Sequence, residues 1–395
     1  MKYKLAILIS HPIQYYYPLY QELAAHPRID LTVYYCWKGG VEEGGTYEEG
    51  FGINIKWDLP LLDGYDHIFL KNYARRSPPS FWGLINPGII RELYSHRYDA
   101  IFIWGYSALS NWLAFLGAGL TRTPVFLGGS VVLAPRIPPL KNLIKRIILT
   151  PLFKRVSAFM CECEKNAEFY QYYGATPENT YWNPAAVNNK FFQSQAKKLL
   201  PRRDEIKEGL SIAGDSPVIL FLGRLTPRKR VMDLLNAFQQ ISDETYATLL
   251  FVGSGEDRDS LERYVRDNDI QRVIFAGFKN QTEIPAYYTV ADVFVVPSQL
   301  DPSPRVINEA MNYGLPIIVS DRVGSRGDLV QDGRNGFVFP VGDIEELSQK
   351  LRQLLLNTDL RQRMKKSSRE IIDRWTCQTG VEEIIRALSV LNPRS

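Results

Sequence analysis

The sequence predicts an α/β protein made of two doubly wound, Rossmann-like domains facing each other across a cleft, and three observations predict it. Short apolar runs alternate with segments of helical periodicity in both halves of the chain, which is the pattern of β/α units feeding parallel sheets. A polar, charged stretch over 193–216, containing KKLLPRRDEIKEG and AGDSP, interrupts that rhythm. Directly after it, residues 218–233 read VILFLGRLTPRKRVMD, a buried strand ending at Gly223 and giving way to a basic helix start. At 395 residues, 45% hydrophobic and 23% charged, the chain is long enough for two globular domains.

In chain order, Lys2 and Lys4 precede an apolar run over 5–9, but His11, Pro12 and Gln14 stop it well short of a signal core. It is expected as a first strand and not as a signal peptide. Further strands are expected over 31–35, 100–104, 125–127 and 157–160, alternating with helical patterns over 15–23, 109–116 and 140–153. The Gly-rich segment 39–52 has little apolar content and reads as a mobile loop, either an inert one or one that covers an acceptor site. After the 193–216 linker, strands are expected over 218–222, 248–252, 273–276, 293–296, 316–319 and 337–339, each trailed by a helical segment, with an all-helical pattern beyond Asp343. The expected organisation is an N-terminal domain over 1–192, a linker over 193–216, a C-terminal domain over 217–375 and a last helix over 376–395 that packs back on the first domain.

A net charge of +4 is too mild for a dedicated nucleic-acid binder. Cys36, Cys161, Cys163 and Cys377 form no C-x-x-C and have no histidine cluster beside them, so reduced thiols in a cytoplasmic protein are expected. No apolar stretch approaches the roughly 20 residues that span a bilayer. Leu140, Leu143, Ile144, Ile147 and Ile148 fall on one helical face with Lys141, Lys145, Arg146, Lys154 and Arg155 around it. A core helix with a solvated flank and a helix lying on an anionic membrane at the inner face of the plasma membrane both account for that pattern.

The 218–233 segment carries the chemistry. A strand-to-helix junction points unpaired helix N–H groups at whatever lies beyond the strand's carboxyl end, where open parallel sheets bind ligands. Arg224 supplies a bidentate fork and Lys229 a point charge, which together suit a diphosphate. Arg228 and Arg230 lie beside them. Four cations at a helix start oppose the macrodipole unless an anion visits, whereas the simpler alternative is a solvated basic helix start. Downstream, Asp301 and Glu309 stand eight positions apart in DPSPRVINEAMNYGLP; Pro302 and Pro304 put the first on a loop, and 305–312 reads as a helix ended by Gly314 and Pro316. Read structurally, Asp301 would be a helix-start acid and Glu309 a solvated face residue.

In order and spacing, GRLTPRK, FVGSGEDRDSL, VIFAGF, YYTVADVFVVPS, DPSPRVINEAMNYGLP and GSRGDLVQDGRNGFVF resemble the retaining glycosyltransferases of family 4, which have the GT-B fold. The resemblance covers 217–342, with weaker matches in ISHPIQYYYPLYQEL and YWNPAAVNNKFF. It implies that Arg224 and Lys229, following Gly223, bind a nucleotide diphosphate and that Glu309 bonds the ribose. It further implies that Gly277 and Phe278 lie near the base, that Asp301 contacts the donor sugar, and that Ser303, Pro304, Arg305 and Val306 form the turn that reaches sugar and phosphate. Ser298, which closes YYTVADVFVVPS, is counted with the donor site.

The chain also departs from the family. Asp301 is one methylene shorter than the usual glutamate, and Pro304 replaces a glycine and so lacks an N–H. Gly128, Gly129 and Ser130 occupy the region where a histidine is common, so no aligned catalytic histidine is present. His11, at the end of the first strand, is either a cleft-facing catalytic candidate beside Arg224, Lys229 and Asp301 or a structural histidine, as lone histidines at strand ends are at least as often. The implied reaction is transfer from a UDP- or GDP-sugar to a saccharide or lipid-linked acceptor, in bacterial polysaccharide or envelope glycan synthesis, without a metal or other cofactor. Rival readings are weaker. Asp257-Arg258-Asp259 and Asp267-Asn268-Asp269 mimic a metal-binding D-x-D but sit at the two ends of an expected helix, and Arg258 breaks a G-x-G-x-x-G pattern. A glycoside hydrolase has no use for the basic pair. A non-catalytic nucleotide-sugar-binding module remains the alternative.

Overall fold

The computed structural model of the chain describes residues 2–42, 44–75, 80–134 and 138–392. The chain divides into two compact units, one comprising 1–46, 60–185 and 377–395, the other 47–59 and 186–376. Among the described residues there are fifteen strands, most of them buried apolar runs: β1 (Tyr3–Ile9), β2 (Ile29–Tyr35), β3 (Thr46–Glu48), β4 (Ile53–Ile55), β5 (Asp66–Phe69), β6 (Ala100–Trp104), β7 (Val125–Gly128), β8 (Ala158–Cys161), β9 (Thr180–Trp182), β10 (Val218–Leu222), β11 (Thr248–Val252), β12 (Val273–Phe275), β13 (Val293–Val296), β14 (Ile317–Ser320) and β15 (Gly336–Phe339).

The first unit is built on a parallel sheet of order β5-β2-β1-β6-β7-β8-β9. Its inner strands are apolar throughout because helices cover both faces, and Leu5, Ile7, Ile101, Phe102 and Phe126 are wholly buried. The helix Cys377–Leu391 belongs to this unit: it packs on the helix Tyr17–Ala25 and on β9, and Glu383 accepts a hydrogen bond from the Trp182 N–H at 3.2 Å.

The second unit carries a parallel sheet of order β12-β11-β10-β13-β14-β15. That is the strand order 3-2-1-4-5-6 of a doubly wound nucleotide-binding sheet. Val231, Leu234, Leu235 and Phe238 recur at helical spacing on the helix Val231–Gln239 and bury against β10 and β11 in a common core. Asp343 and Asn357 cap the helices Ile344–Leu356 and Thr358–Ile372, each side chain accepting a backbone N–H at 2.9 Å.

Two expectations are corrected here. The 193–216 stretch is not an open linker. It holds the helix Asn189–Leu199 and the helix Arg203–Gly209 within the second unit, anchored by buried Phe192 and Ala196 and by an Arg203–Asp292 ion pair of 2.8 Å. The continuous main part of the second unit accordingly begins at Ala186. Nor is 39–52 wholly a loose loop: its later part supplies β3 of the two-stranded β3-β4 sheet, and residues 47–59 belong to the second unit. Among the described residues no helix is long and apolar enough to cross a membrane.

Candidate functional site

In the second unit the chain reverses its direction of winding between β10 and β13, and in open α/β sheets ligands bind beyond the strand carboxyl ends at such a point. The backbone there is packed as closely as atoms allow. A Cβ on Gly253 would lie 1.8 Å from the Gly223 carbonyl oxygen, and one on Gly255 would lie 2.3 Å from that of Leu225. Gly223 N–H donates to Val252 at 2.9 Å, Leu225 N–H to Ser254 at 2.9 Å and Gly253 N–H to Gly277 at 2.8 Å, so the loops leaving β10, β11 and β12 are locked side by side. Arg224 and Lys229 are therefore presented from a rigid frame. Lys229 ends the short 3-10 turn Pro227–Lys229, and Arg230, in the left-handed region at φ 51°, redirects the chain into the helix Val231–Gln239.

β13 leads to Ser298, wholly buried, whose hydroxyl makes no hydrogen bond while its carbonyl accepts from Ser320 Oγ at 2.5 Å. The loop beyond it is held by the one that follows β14. Asp301 bridges Val323, its N–H donates to Arg322 at 3.3 Å, and Gly324 N–H donates to its carbonyl at 2.8 Å. Only glycine fits at 324, since a Cβ would meet the Pro302 carbonyl oxygen at 2.0 Å. Asp301 is thereby aimed at Lys229, and the two form an ion pair with both side chains at least 85% buried. Burial of either charge is tolerable because the other neutralises it. The sequence places Lys229 on a diphosphate and Asp301 on a sugar; the structure joins them to each other.

Pro304 occupies the N-cap position of the helix Arg305–Asn312, and Arg305, itself buried, donates from Nη1 to Ser303 Oγ at 3.0 Å. The Val306 carbonyl accepts from the Tyr288 hydroxyl at 3.4 Å. Glu309 is not a solvated face residue: it is wholly buried, and Tyr288 donates to its Oε2 at 2.7 Å while Oε1 is buried without a hydrogen bond. Burial raises the Glu309 pKa to about 7, with the Tyr288 and Gln281 side chains acting in the opposite sense. Orphaned polar atoms at Ser298, Asn308 and Glu309 thus cluster on β13's exit and the following helix.

Arg224 has partners that sequence reasoning misses. Glu48 lies 3.3 Å from its Nη2, and the guanidinium sits 5.2 Å above the Phe51 ring. Phe51 in turn packs edge-on against Phe278 at 5.2 Å, with Trp57 at 6.4 Å from the same ring. Gly277 takes φ 71° in the turn that positions Phe278. The acidic and aromatic content of TYEEGF was the available signal, but nothing local in it points to residues 176 positions away.

In the first unit, His11 leaves β1 with its Nδ1 2.9 Å from Ser10 Oγ and its ring 5.4 Å from Trp37. Burial pushes its pKa down to about 4, so the imidazole is neutral at pH 7. At the carboxyl ends of β7 and β8, Ser130 Oγ donates to the buried Glu162 carboxylate at 2.6 Å, a pair that no sequence motif announces. Among the described residues no group of three or more His, Cys, Asp or Glu side chains is arranged to hold a metal ion. Asp257 occupies the N-cap position of the helix Arg258–Asp267 without a side-chain cap hydrogen bond, and Asp267 ends the helix, so the two D-x-D look-alikes sit at its two ends.

Residues 202–371 match the family model described as glycosyl transferases group 1. The chain is 27% identical over 219 residues to a sulfoquinovosyl transferase of Arabidopsis thaliana, covering 53% of this chain and 40% of that protein. It is 30% identical over 164 residues to the lipopolysaccharide core biosynthesis glycosyltransferase LpsE of Rhizobium meliloti, covering 41% and 46%. The chain spans less than half the length of these curated relatives. The crystal structure of Anabaena HepE in complex with UDP and glucose superposes with a TM-score of 0.72 at 19% identity, over 98% of this chain and 100% of that one. At that identity the likeness concerns the fold, and the fold is GT-B.

Proposed function

We propose that the protein is a retaining glycosyltransferase of the family 4 type, a hexosyltransferase that moves a sugar from a UDP- or GDP-sugar to a saccharide or lipid-linked saccharide in bacterial polysaccharide or envelope glycan synthesis. The observation that carries the reading is the presentation of Arg224 and Lys229 from glycine-locked loops at the switch point of a nucleotide-binding sheet. Cleaving the bond between an anomeric carbon and a diphosphate leaves negative charge on the departing phosphate and positive charge on the sugar. Arg224 and Lys229 stabilise the first without a metal. Asp301, released from Lys229 as the diphosphate takes its place, faces the second. The departing phosphate oxygen accepts the acceptor hydroxyl's proton, so the balance closes without a catalytic histidine, and neutral His11 contributes a hydrogen bond, not a charge.

Glu309 has the chemistry of a ribose ligand, an acceptor-only carboxylate when ionised, with one oxygen already oriented by Tyr288. Ser298, Ser303, Pro304, Arg305 and Val306 form the wall beside it, and Gly277 and Phe278 the base side.

The reading extends to the membrane. On the helix Pro139–Phe153 only Leu149, Leu152 and Phe153 face the core, while Leu140, Leu143, Ile144, Ile147 and Ile148 are exposed, Leu140 by 70%. The exposure of that stripe supports a membrane-surface helix over a core helix. Five apolar side chains interleaved with Lys141, Lys145 and Arg146 suit peripheral binding to an anionic membrane at the inner face of the plasma membrane.

Ligand-observed NMR with UDP- and GDP-sugars, followed for hours, tests the proposal. Saturable binding that Arg224→Ala abolishes, with slow release of UDP or GDP, is the expected result. Binding without release in the presence of saccharide acceptors would favour a non-catalytic module, to which the missing N–H at Pro304 also points. Absence of binding would reject the donor site.

A further inference from the structure

The segment Tyr47–Leu59 belongs to the second unit although the chain on either side of it belongs to the first. Its attachments run along the face where the donor reading puts diphosphate and base. Glu48 pairs with Arg224, Phe51 lies against both Arg224 and Phe278, and Trp57 reaches Phe278. At the far end Asn280 Nδ2 donates to the Lys56 carbonyl at 2.7 Å and Thr282 N–H donates to the Asp58 carboxylate at 3.0 Å. Gly50 lies so near the guanidinium that a Cβ there would come within 2.6 Å of it.

The charge arrangement is informative. Both cations assigned to the diphosphate already hold a carboxylate, Lys229 that of Asp301 and Arg224 that of Glu48. Asp301 is rigidly fixed by backbone bonds to the 322–324 loop, whereas Glu48 sits at the end of the short β3 on a segment whose attachments to the rest of the unit run through side chains. A carboxylate and a phosphate compete for the same fork of guanidinium donors. We propose that the segment Tyr47–Leu59 is a strap whose Glu48 carboxylate holds the place of a phosphate on Arg224, so that a nucleoside diphosphate displaces the strap as it binds. The inference rests on the donor-site reading above. The strap competes with stray anions for Arg224, and its departure frees the Phe278 ring at the same moment.

The experiment compares wild type with Glu48→Gln by calorimetric titration with UDP and GDP, and follows hydrogen exchange of the peptide spanning 47–59 with and without nucleotide. Arg224 and Glu48 are partly exposed, with 42% and 29% of their side-chain surfaces open, so the competing pair is a modest one. E48Q is expected to bind roughly two- to fivefold more tightly, and exchange over 47–59 is expected to rise on nucleotide binding. A Glu48 that merely orients Arg224 toward the phosphate gives the opposite sign, weaker binding by E48Q with added protection of the segment, and that result overturns the strap. Equal affinities with unchanged exchange overturn it as well. Failure of both proteins to bind either nucleotide removes the donor site itself, and the strap with it.

Discussion

Replacing Glu309 by glutamine is expected to make the protein more stable above neutral pH and to leave it nearly unchanged in mild acid. The carboxyl is wholly buried, with Oε2 bonded to Tyr288, and burial raises its pKa to about 7 from an ordinary 4.5. Between those values the folded protein holds a proton that the unfolded chain has released, so stability falls as pH rises through this window and is fully reduced above the folded pKa. At about 1.4 kcal/mol per pH unit, the loss amounts to on the order of 3 kcal/mol by pH 8. Glutamine carries no charge to desolvate and still offers Tyr288 an acceptor oxygen. Urea denaturation of wild type and E309Q at pH 5, 6, 7 and 8 measures the difference, and the other carboxylates cancel between the two. A gap that opens toward pH 8 in favour of E309Q supports the assignment. A gap that is constant with pH, or a glutamine variant less stable at pH 8, refutes the reasoning that the carboxylate is buried at a cost.

Lys229→Ala leaves the Asp301 carboxylate, 8% exposed, without its counter-charge. It should lose roughly 1.5–3 kcal/mol of UDP or GDP affinity by titration; unaltered binding removes Lys229 from the site. Gly253→Ala forces a methyl to within 1.8 Å of the Gly223 oxygen at φ 142°, and should cost on the order of 3 kcal/mol in denaturation together with nucleotide binding. A folded variant of normal stability would mean that the loops are not locked together. Changing Lys141, Lys145 and Arg146 together to alanine should reduce partition onto vesicles containing anionic phosphatidylserine by about a hundredfold, at roughly 1 kcal/mol per charge; equal flotation of variant and wild type excludes the membrane surface.

How much of this is legible in the sequence depends on whether an interaction is local. Strands covered on both faces write themselves as unbroken apolar runs, and β10, β11 and β13 coincide with the runs at 218–222, 248–252 and 293–296. β5 alternates exposed and half-buried residues and β9 is three residues long, so neither stands out. The helices Asn189–Leu199 and Arg203–Gly209 hide because few apolar residues, chiefly Phe192 and Ala196, anchor them among lysines, arginines and acids. At the proposed donor site, Arg224 and Lys229 are picked out by their place at a strand-to-helix junction and Glu309 by the family resemblance. Their partners Glu48, Phe51 and Tyr288 are not, because those pairings are set by the fold and leave no periodic trace. The 39–52 segment is the clearest case: glycine content alone suggests mobility, whereas a two-stranded sheet and contacts to Arg224 and Phe278 hold its later part in place.

The first unit is closed by the last described helix. Cys377–Leu391 covers the helix Tyr17–Ala25 and β9, Asn392 receives the Tyr3 hydroxyl at 3.3 Å, and a Cβ on Gly380 would strike Asn183 at 2.3 Å. During synthesis the second unit, lying between these pieces, emerges whole while the first still lacks a wall. Residues through Leu391 must therefore leave the ribosome before the earlier-made pieces of the first unit can finish folding, and a truncation at 376 would leave the first unit open and the second intact. Nascent chains stalled at successive lengths should acquire protease resistance in the later-made half first, a reversal of the usual vectorial order.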